Sequence, residues 1–282
     1  MLNTYHDPFF GIECDYDRAG TVIFGAPFDS TTSFRPGTRF ASRVMRGESF
    51  GLETYSPYQD RAIADYHFFD SGDLELCFGN TEKALAAIGA RVQTILEDGK
   101  RPLMIGGEHL VTLGAVRAAL KQHPDLCIIQ FDAHTDLRED YLGEPLSHAT
   151  VLRRCWDLVG DGRIFQFGIR SGERAEFRWA AEHTGLHKFS FDGLAQAMER
   201  IGDRPIYFTI DLDVLDPSVF PGTGTPEAGG VTFLQLMEAM DWVSRGNVVA
   251  CDINELSPVY DQSGASTATA LKVLRELLLF LE

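Results

Sequence analysis

Positive charge is scarce in this sequence. Of its 282 residues, 25 are lysine or arginine and 41 are acidic, for a formal net charge of −16. A surface that negative argues against nucleic acid, whose phosphates would repel it, and its field favours cationic ligands. No run of about 18 apolar residues is present to span a membrane. Residues 1–20 carry three aspartates and a glutamate and no long apolar stretch, unlike a secretory leader. No C-x-x-C pair suggests a zinc or redox site. The five cysteines (Cys14, Cys77, Cys127, Cys155 and Cys251) are odd in number and scattered. Cys127 and Cys251 fall in apolar runs and read as buried core thiols. A reducing cytoplasm is the expected location. Linkers, low-complexity tracts and internal repeats are missing too, so residues 1–282 are expected to form one domain.

What remains is an alternation of apolar runs and helical patterns. The runs are Thr21–Ala26, Ala62–Phe69, Pro102–Ile105, Leu126–Phe131, Arg163–Phe167, Leu186–Phe189, Pro205–Ile210 and Val248–Ile253. Most are apolar at successive positions, as strands covered on both faces must be. Helical patterns run from Thr81 to about Asp98, Leu110 to Lys121, Thr232 to just before Gly246, and Thr267 to Phe280. The stretch 27–60, with turn formers, arginines and aromatics, reads as loop with short helix. The alternation predicts an α/β fold with a mostly parallel sheet covered by helices on both faces.

In such sheets ligands gather at the carboxyl ends of strands. Gly106-Gly-Glu-His109 follows one run, and Asp132-Ala-His-Thr-Asp136 a second. Asp211-Leu-Asp213 follows a third, and Asn254-Glu255 a fourth. In extended chain Asp132, His134 and Asp136 would share a face with about 6.6 Å between successive members, and Asp211 and Asp213 repeat that spacing. A lone aspartate or histidine at a strand end is commonly a cap or turn former. Four such ends together are not explained that way. Four clustered aspartates repel one another unless protonated or neutralised. Two divalent cations would neutralise them, and the mixture of oxygen ligands with imidazole suits manganese or another borderline ion. Cations about 3.5–4 Å apart also lower the pKa of a shared water to near 7. His6, His67, His123, His183 and His187 belong to no comparable cluster.

These motifs, with Gly222-Thr-Gly-Thr-Pro-Glu, Gly25-Ala-Pro-Phe-Asp, Phe34-Arg-Pro-Gly-Thr-Arg and Glu255-Leu-Ser-Pro-Val-Tyr-Asp, resemble the signatures of the ureohydrolase (arginase/agmatinase) family across nearly the whole chain. The resemblance implies a three-layer α/β/α fold with an eight-stranded, mostly parallel sheet. It also implies two divalent metal ions, manganese above others, on His109, Asp132, His134, Asp136, Asp211 and Asp213. Glu255 matches the carboxylate that pairs with the substrate guanidinium. His148, in Ser147-His-Ala-Thr, matches a histidine that shuttles protons. His148, Glu255 and Asp136 are the catalytic candidates, and Glu255 and His148 also bind substrate. Members commonly form trimers or hexamers, so a homo-oligomer is implied. Two positions depart from the family pattern: Glu108 replaces an aspartate, and Ala149 a frequent glycine.

A carboxylate can grip a planar guanidinium bidentately, and the departing amine needs a proton that a histidine titrating near pH 7 could supply. Arginases hold the amino-acid end of arginine with a Ser-Gly-Asn-Leu-His-Gly-like segment. Here Leu137–Ala149 lacks that segment and adds Glu139, Asp140 and Glu144. The implied reaction is therefore hydrolysis of agmatine, a small cationic guanidino compound, to putrescine and urea. Guanidinobutyrate, arginine and guanidine are alternatives. An arginase-fold deacetylase would use one zinc and would not need His109, Asp136 and Asp213 together. An inactive metal-binding relative would be expected to have lost ligands that this chain keeps.

Overall fold

A computed structural model describes residues 8–12 and 14–282. Eight strands form one sheet: β1 Thr21–Gly25, β2 Phe68–Asp73, β3 Arg101–Ile105, β4 Cys127–Phe131, β5 Ile164–Ile169, β6 Gly185–Lys188, β7 Ile206–Asp211 and β8 Val248–Asn254. Their order is β2-β1-β3-β8-β7-β4-β5-β6, and every pairing is parallel. Alternate residues of each strand enter opposite cores. Ile23, Ile129 and Phe131 pack with helices α1 Ala41–Glu48, α6 Leu194–Ile201, α7 Phe233–Ser244 and α8 Ala265–Phe280. Val22, Phe24 and Ile128 pack with α2 Thr81–Glu97, α3 Val111–Gln122, α4 Val151–Val159 and α5 Arg174–His183. The result is the expected three-layer α/β/α arrangement. Among the described residues no helix is long and apolar enough to cross a membrane.

The four predicted helices form within two residues of their expected ends. Asn80 caps α2 by accepting the Lys83 N–H at 2.9 Å, and the reciprocal Thr232/Gln235 capping box opens α7. Cys127, Cys155 and Cys251 are buried, as sheet and helix core. One strand is misplaced in the sequence reading. The run Ala62–Phe69 is not continuous strand. The Asp65 carboxylate accepts the Ala62 N–H at 3.0 Å and closes a tight turn over Ile63–Asp65. The strand starts only at Phe68, opposite Thr21 of β1.

Register brings the chemistry together. Ile253 of β8 pairs with Ile105 of β3, Asn254 with Asp211 of β7, and Phe131 of β4 with Ile210. β3, β8, β7 and β4 are consecutive in the sheet, so the residues that follow them emerge side by side at one edge. The strand order also switches there: the β3–β4 crossover spans β8 and β7, which leaves the crevice where open α/β sheets bind ligands.

Candidate metal centre

Glycines make room at this edge. A Cβ on Gly106 would lie 1.8 Å from Asn254 Oδ1, and one on Gly107 would lie 1.9 Å from the Phe28 carbonyl. With no side chains there, the turn after β3 packs against both neighbours, and His109 points inward at the start of the next helical turn. His109 Nδ1 lies 3.0 Å from Asp132 Oδ2, 3.0 Å from Asp136 Oδ2 and 3.6 Å from Asp211 Oδ2. His134 Nδ1 lies 3.6 Å from Asp132 Oδ1 and 3.0 Å from Asp213 Oδ2. Two triads result, His109/Asp132/Asp211 and Asp132/His134/Asp213, each with donor atoms close enough for one ion. Asp132 belongs to both, one oxygen facing each. All six predicted ligands therefore meet in one place.

They meet by a route the spacing did not foresee. The 132–136 segment is not an extended strand. Asp132 Oδ1 accepts the His134 N–H at 2.5 Å, which turns the chain, and Asp136 has φ +51°, in the left-handed region. Asp211 ends β7, and the next three residues form a 3₁₀ turn. A non-glycine residue at positive φ is costly and often marks a functional site; Glu255, at φ +67°, is a second case here.

The donor set fits divalent cations. His109 Nδ1 is buried and lacks a hydrogen-bond partner, an orphan that a metal would satisfy. Electrostatics agree. Burial alone would push both imidazoles down, but Asp132 and Asp136 hold His109 well above its usual range, and Asp213 and Asp132 do so for His134. Burial raises Asp132, and the two histidines outweigh it and lower the group. Burial and then the charge of Asp132 push Asp136 up to about 7. Burial, Asp213 and Asp132 push Asp211 well above the carboxylate range. These carboxylates cannot all ionise without cations beside them.

The centre floors a cavity of about 300 Å³ whose lining includes Glu255, His148, Tyr141, Arg138 and Glu173. Glu255 Oε1 accepts the His109 N–H at 2.7 Å, which fixes the carboxylate and leaves Oε2 without a hydrogen-bond donor among the described residues. Burial and then Asp213 raise its pKa well above normal. His148 Nε2 accepts the Ser33 N–H at 3.3 Å and lies 3.0 Å from Ser33 Oγ, so the proton belongs on Nδ1. Burial pushes His148 down to about 4, with the charges of His134 and His109 adding to the effect. The expected titration near pH 7 is therefore replaced by a neutral imidazole. Glu108, the departure from the family motif, clamps the loop that carries Ser33. It accepts the Thr31 N–H at 2.9 Å and the Thr31 and Thr32 hydroxyls. Thr31 Oγ1 in turn accepts the His148 N–H at 3.0 Å.

Of the remaining histidines, His67 bonds Arg18, His183 stacks on Trp179, and His187 stacks on Phe167. His123 caps the end of α3, and His6 lies outside the described residues. Glu139, Asp140 and Glu144 do not line the cavity. Asp140 and Glu144 instead accept backbone N–H groups of their own exposed loop. The carboxylates on the outer wall are Glu173, which caps α5, and Glu176 in its first turn. Arg138 pairs with Glu173 at 3.1 Å and approaches Glu176 at 3.7 Å.

Sequence reasoning missed Arg170. Its guanidinium reaches the carbonyls of Gly168, Asp213, Val214, Leu215 and Glu227, and so ties the Asp213 turn to the 222–227 loop. Thr225 of that loop donates to Asp213 Oδ2 at 3.2 Å. Thr209 and Asp252, inside strands, were missed as well. A charged residue within the apolar run Val248–Ile253 was the available signal.

The sheet, its reversal point and the paired His/Asp triads define a class: the chain belongs to the arginase family, whose model matches residues 19–280. Within it, the chain is 47% identical over 276 residues to the agmatinase of Bacillus subtilis strain 168, covering 96% of this chain and 95% of that one. A crystal structure of a Clostridium difficile protein superposes with a TM-score of 0.92 at 51% identity, covering 95% of this chain and 98% of that chain. The guanidinobutyrase of Pseudomonas aeruginosa is 34% identical, covering 94% of this chain and 87% of that protein.

Proposed function

We propose that this protein hydrolyses agmatine to putrescine and urea, using two divalent cations. The observation that carries the reading is the pair of triads sharing Asp132 beneath a cavity walled by Glu255. His109, Asp132, His134, Asp136, Asp211 and Asp213 would hold the ions. Oxygen and imidazole donors without thiolate support manganese. When bound, such a pair supplies a nucleophilic water at neutral pH.

The chain's own groups do the rest. Glu255 receives the planar guanidinium and presents its carbon to the floor of the cavity, where attack occurs. Water adds to that carbon, the bond to the alkyl nitrogen breaks, and urea forms. The alkyl nitrogen must leave with a proton. His148 holds one on Nδ1 and can recover it at Nε2 through the Ser33 hydroxyl. A neutral imidazole suits relay rather than storage.

Substrate choice rests on the outer wall. Glu173 and Glu176 bring negative charge, and Arg138 is already paired. A tail ending in an amine fits this wall, and a homologue is named for agmatine. Guanidinobutyrate is the second reading, because Arg138 freed from Glu173 would meet its carboxylate. The same reading takes residues 1–282 as one catalytic unit, acting in the cytoplasm as a homo-oligomer. Five unpaired thiols support a reducing compartment.

The test is urea release from agmatine, arginine, guanidinobutyrate and guanidine by protein stripped of metal and reloaded with manganese, iron, cobalt, nickel or zinc. Manganese with agmatine is expected to give the highest kcat/KM. Faster release from guanidinobutyrate would move the substrate. No urea from any pair, with one tightly held zinc per chain, would sink the reading in favour of a deacetylase.

A further inference from the structure

Behind His109, away from the cavity, lies a closed polar network with one carboxylate at its centre. Asp252 is fully buried on β8, with no cationic side chain within ion-pair distance among the described residues. It accepts the Tyr207 hydroxyl at 2.5 Å and the Thr112 hydroxyl at 2.8 Å on Oδ2, and the Asn254 amide at 2.7 Å on Oδ1. Thr209 Oγ1 lies 3.4 Å from the Thr112 hydroxyl that Asp252 orients, and accepts the Asn254 amide at 3.4 Å. Thr209 Oγ1 lies 2.8 Å from His109 Nε2.

Proton counting fixes the directions. Each hydroxyl has one proton to give. Thr112 and Tyr207 commit theirs to Asp252, and Thr112 accepts from the Asn254 amide at 3.2 Å. With the Thr112 proton committed to Asp252, the hydroxyl pair at 3.4 Å leaves Thr209 to donate to the Thr112 oxygen. The Thr209 oxygen is left to accept, and His109 Nε2–H is the donor beside it. With a cation in place, the other nitrogen, Nδ1, is then the one without hydrogen. That is the buried, unpartnered atom aimed at Asp132, Asp136 and Asp211. His134 has no such backing: among the described residues its Nε2 makes no hydrogen bond to protein.

We infer that Asp252, acting through Thr112 and Thr209, is a positioning residue that locks His109 with its proton on Nε2 and so builds the His109/Asp132/Asp211 cation position, while the Asp132/His134/Asp213 position forms without it. A relay from carboxylate through hydroxyls to imidazole both orients the ring and makes its free nitrogen a better donor. The two positions, alike in donor chemistry, therefore differ in what supports them. The inference rests on the two-cation reading above.

The test is manganese(II) titration of the chelator-stripped full chain by calorimetry, with electron paramagnetic resonance on the same samples. Unmodified protein should take two ions and show an exchange-coupled spectrum. Thr209→Val, nearly isosteric but without the hydroxyl, should bind one of the two at least tenfold more weakly, and intermediate loading should give a mononuclear signal. Thr209→Ser should restore two tight ions, and Asp252→Asn should behave like Thr209→Val. Thermal melting checks that each variant folds. If Asp252→Asn does not fold, the Val/Ser pair decides the matter alone. Two equally tight ions in Thr209→Val would overturn the inference and leave the hydrolase reading standing. No manganese in unmodified protein would instead overturn the hydrolase reading.

Discussion

Asp211 Oδ1 accepts the backbone N–H of Asp213 at 2.8 Å. The carboxylate of one aspartate thus shapes the turn that delivers the next. Asp213 then faces His134, while Asp211 faces His109. With Asp132 common to both triads, substitutions should separate by stoichiometry. Asp132→Asn is expected to lose both manganese ions and all urea release. Asp213→Asn should lose activity with depletion of the His134 position above all. Metal analysis of the purified variants checks this, and wild-type manganese content in an inactive Asp132→Asn protein would contradict it.

Glu255 has a different expected signature, because it bonds the His109 backbone and belongs to neither triad. Glu255→Gln preserves an oxygen to accept the His109 N–H but removes the charge that meets a guanidinium. Both metals should stay. The kcat/KM for agmatine should fall roughly 10- to 100-fold, the equivalent of the ~1.5–3 kcal/mol of hydrogen bonds to a charged group. Unchanged kinetics would remove Glu255 from the substrate site.

Much of this centre could be read in the sequence, though not always for the right reason. The strand-end motifs mark His109, the 132–136 trio, Asp211, Asp213 and Glu255, because unrelated strands rarely all end in ligating side chains. Their adjacency is a property of strand order and register, which local patterns do not encode. The i, i+2 spacing suggested a shared strand face, whereas the working geometry comes from side-chain-capped turns and a left-handed Asp136. Long-range partners left little trace. Arg170 contacts carbonyls 43–57 residues away, and Thr209 is a short polar residue in an apolar strand, indistinguishable there from ordinary β-branched filling. The acidic residues 139, 140 and 144 were legible as charge but not as pointing away from the cavity.

Metal binding should be strongly linked to protons. Without cations, His109 and His134 are held above their usual range, and Asp136 titrates at about 7, so the free cluster carries protons at neutral pH. The loaded cluster must shed them. The bound state then holds fewer protons than the free state, so raising pH tightens manganese binding and acid weakens it. Calorimetric titrations at pH 7 in buffers of different ionisation heat should report net proton release. Heats independent of the buffer would rule that linkage out.

Glu108 offers a stability test on the metal-free protein. Burial raises it from 4.5 to about 7. Between those values the folded state holds a proton that the unfolded state has given up, so raising pH through this window destabilises the native chain. Glu108→Gln cannot titrate. Relative to the native chain it should therefore gain stability between pH 4.5 and pH 7, by up to about 3 kcal/mol at 1.36 kcal/mol per unit. Urea denaturation of both proteins at the two ends of that window measures the difference. A constant difference would mean that Glu108 does not carry its proton in the fold.

Arg170 should produce the mirror image of the Thr209 phenotype. Its planar fork satisfies five carbonyls on three segments, and two of those segments carry Asp213 and Thr225 beside the His134 position. Lysine keeps the charge but offers three donors from one atom, so it cannot span those carbonyls. Buried carbonyls left unpaired cost about 1–3 kcal/mol each. Arg170→Lys is therefore expected to melt at lower temperature and to bind the His134-side manganese more weakly, with the His109-side ion retained. Calorimetry against Thr209→Val, which loses the opposite ion, distinguishes the two supports. A normal melting temperature with two tight ions would show that the turn holds Asp213 without help from the Arg170 guanidinium.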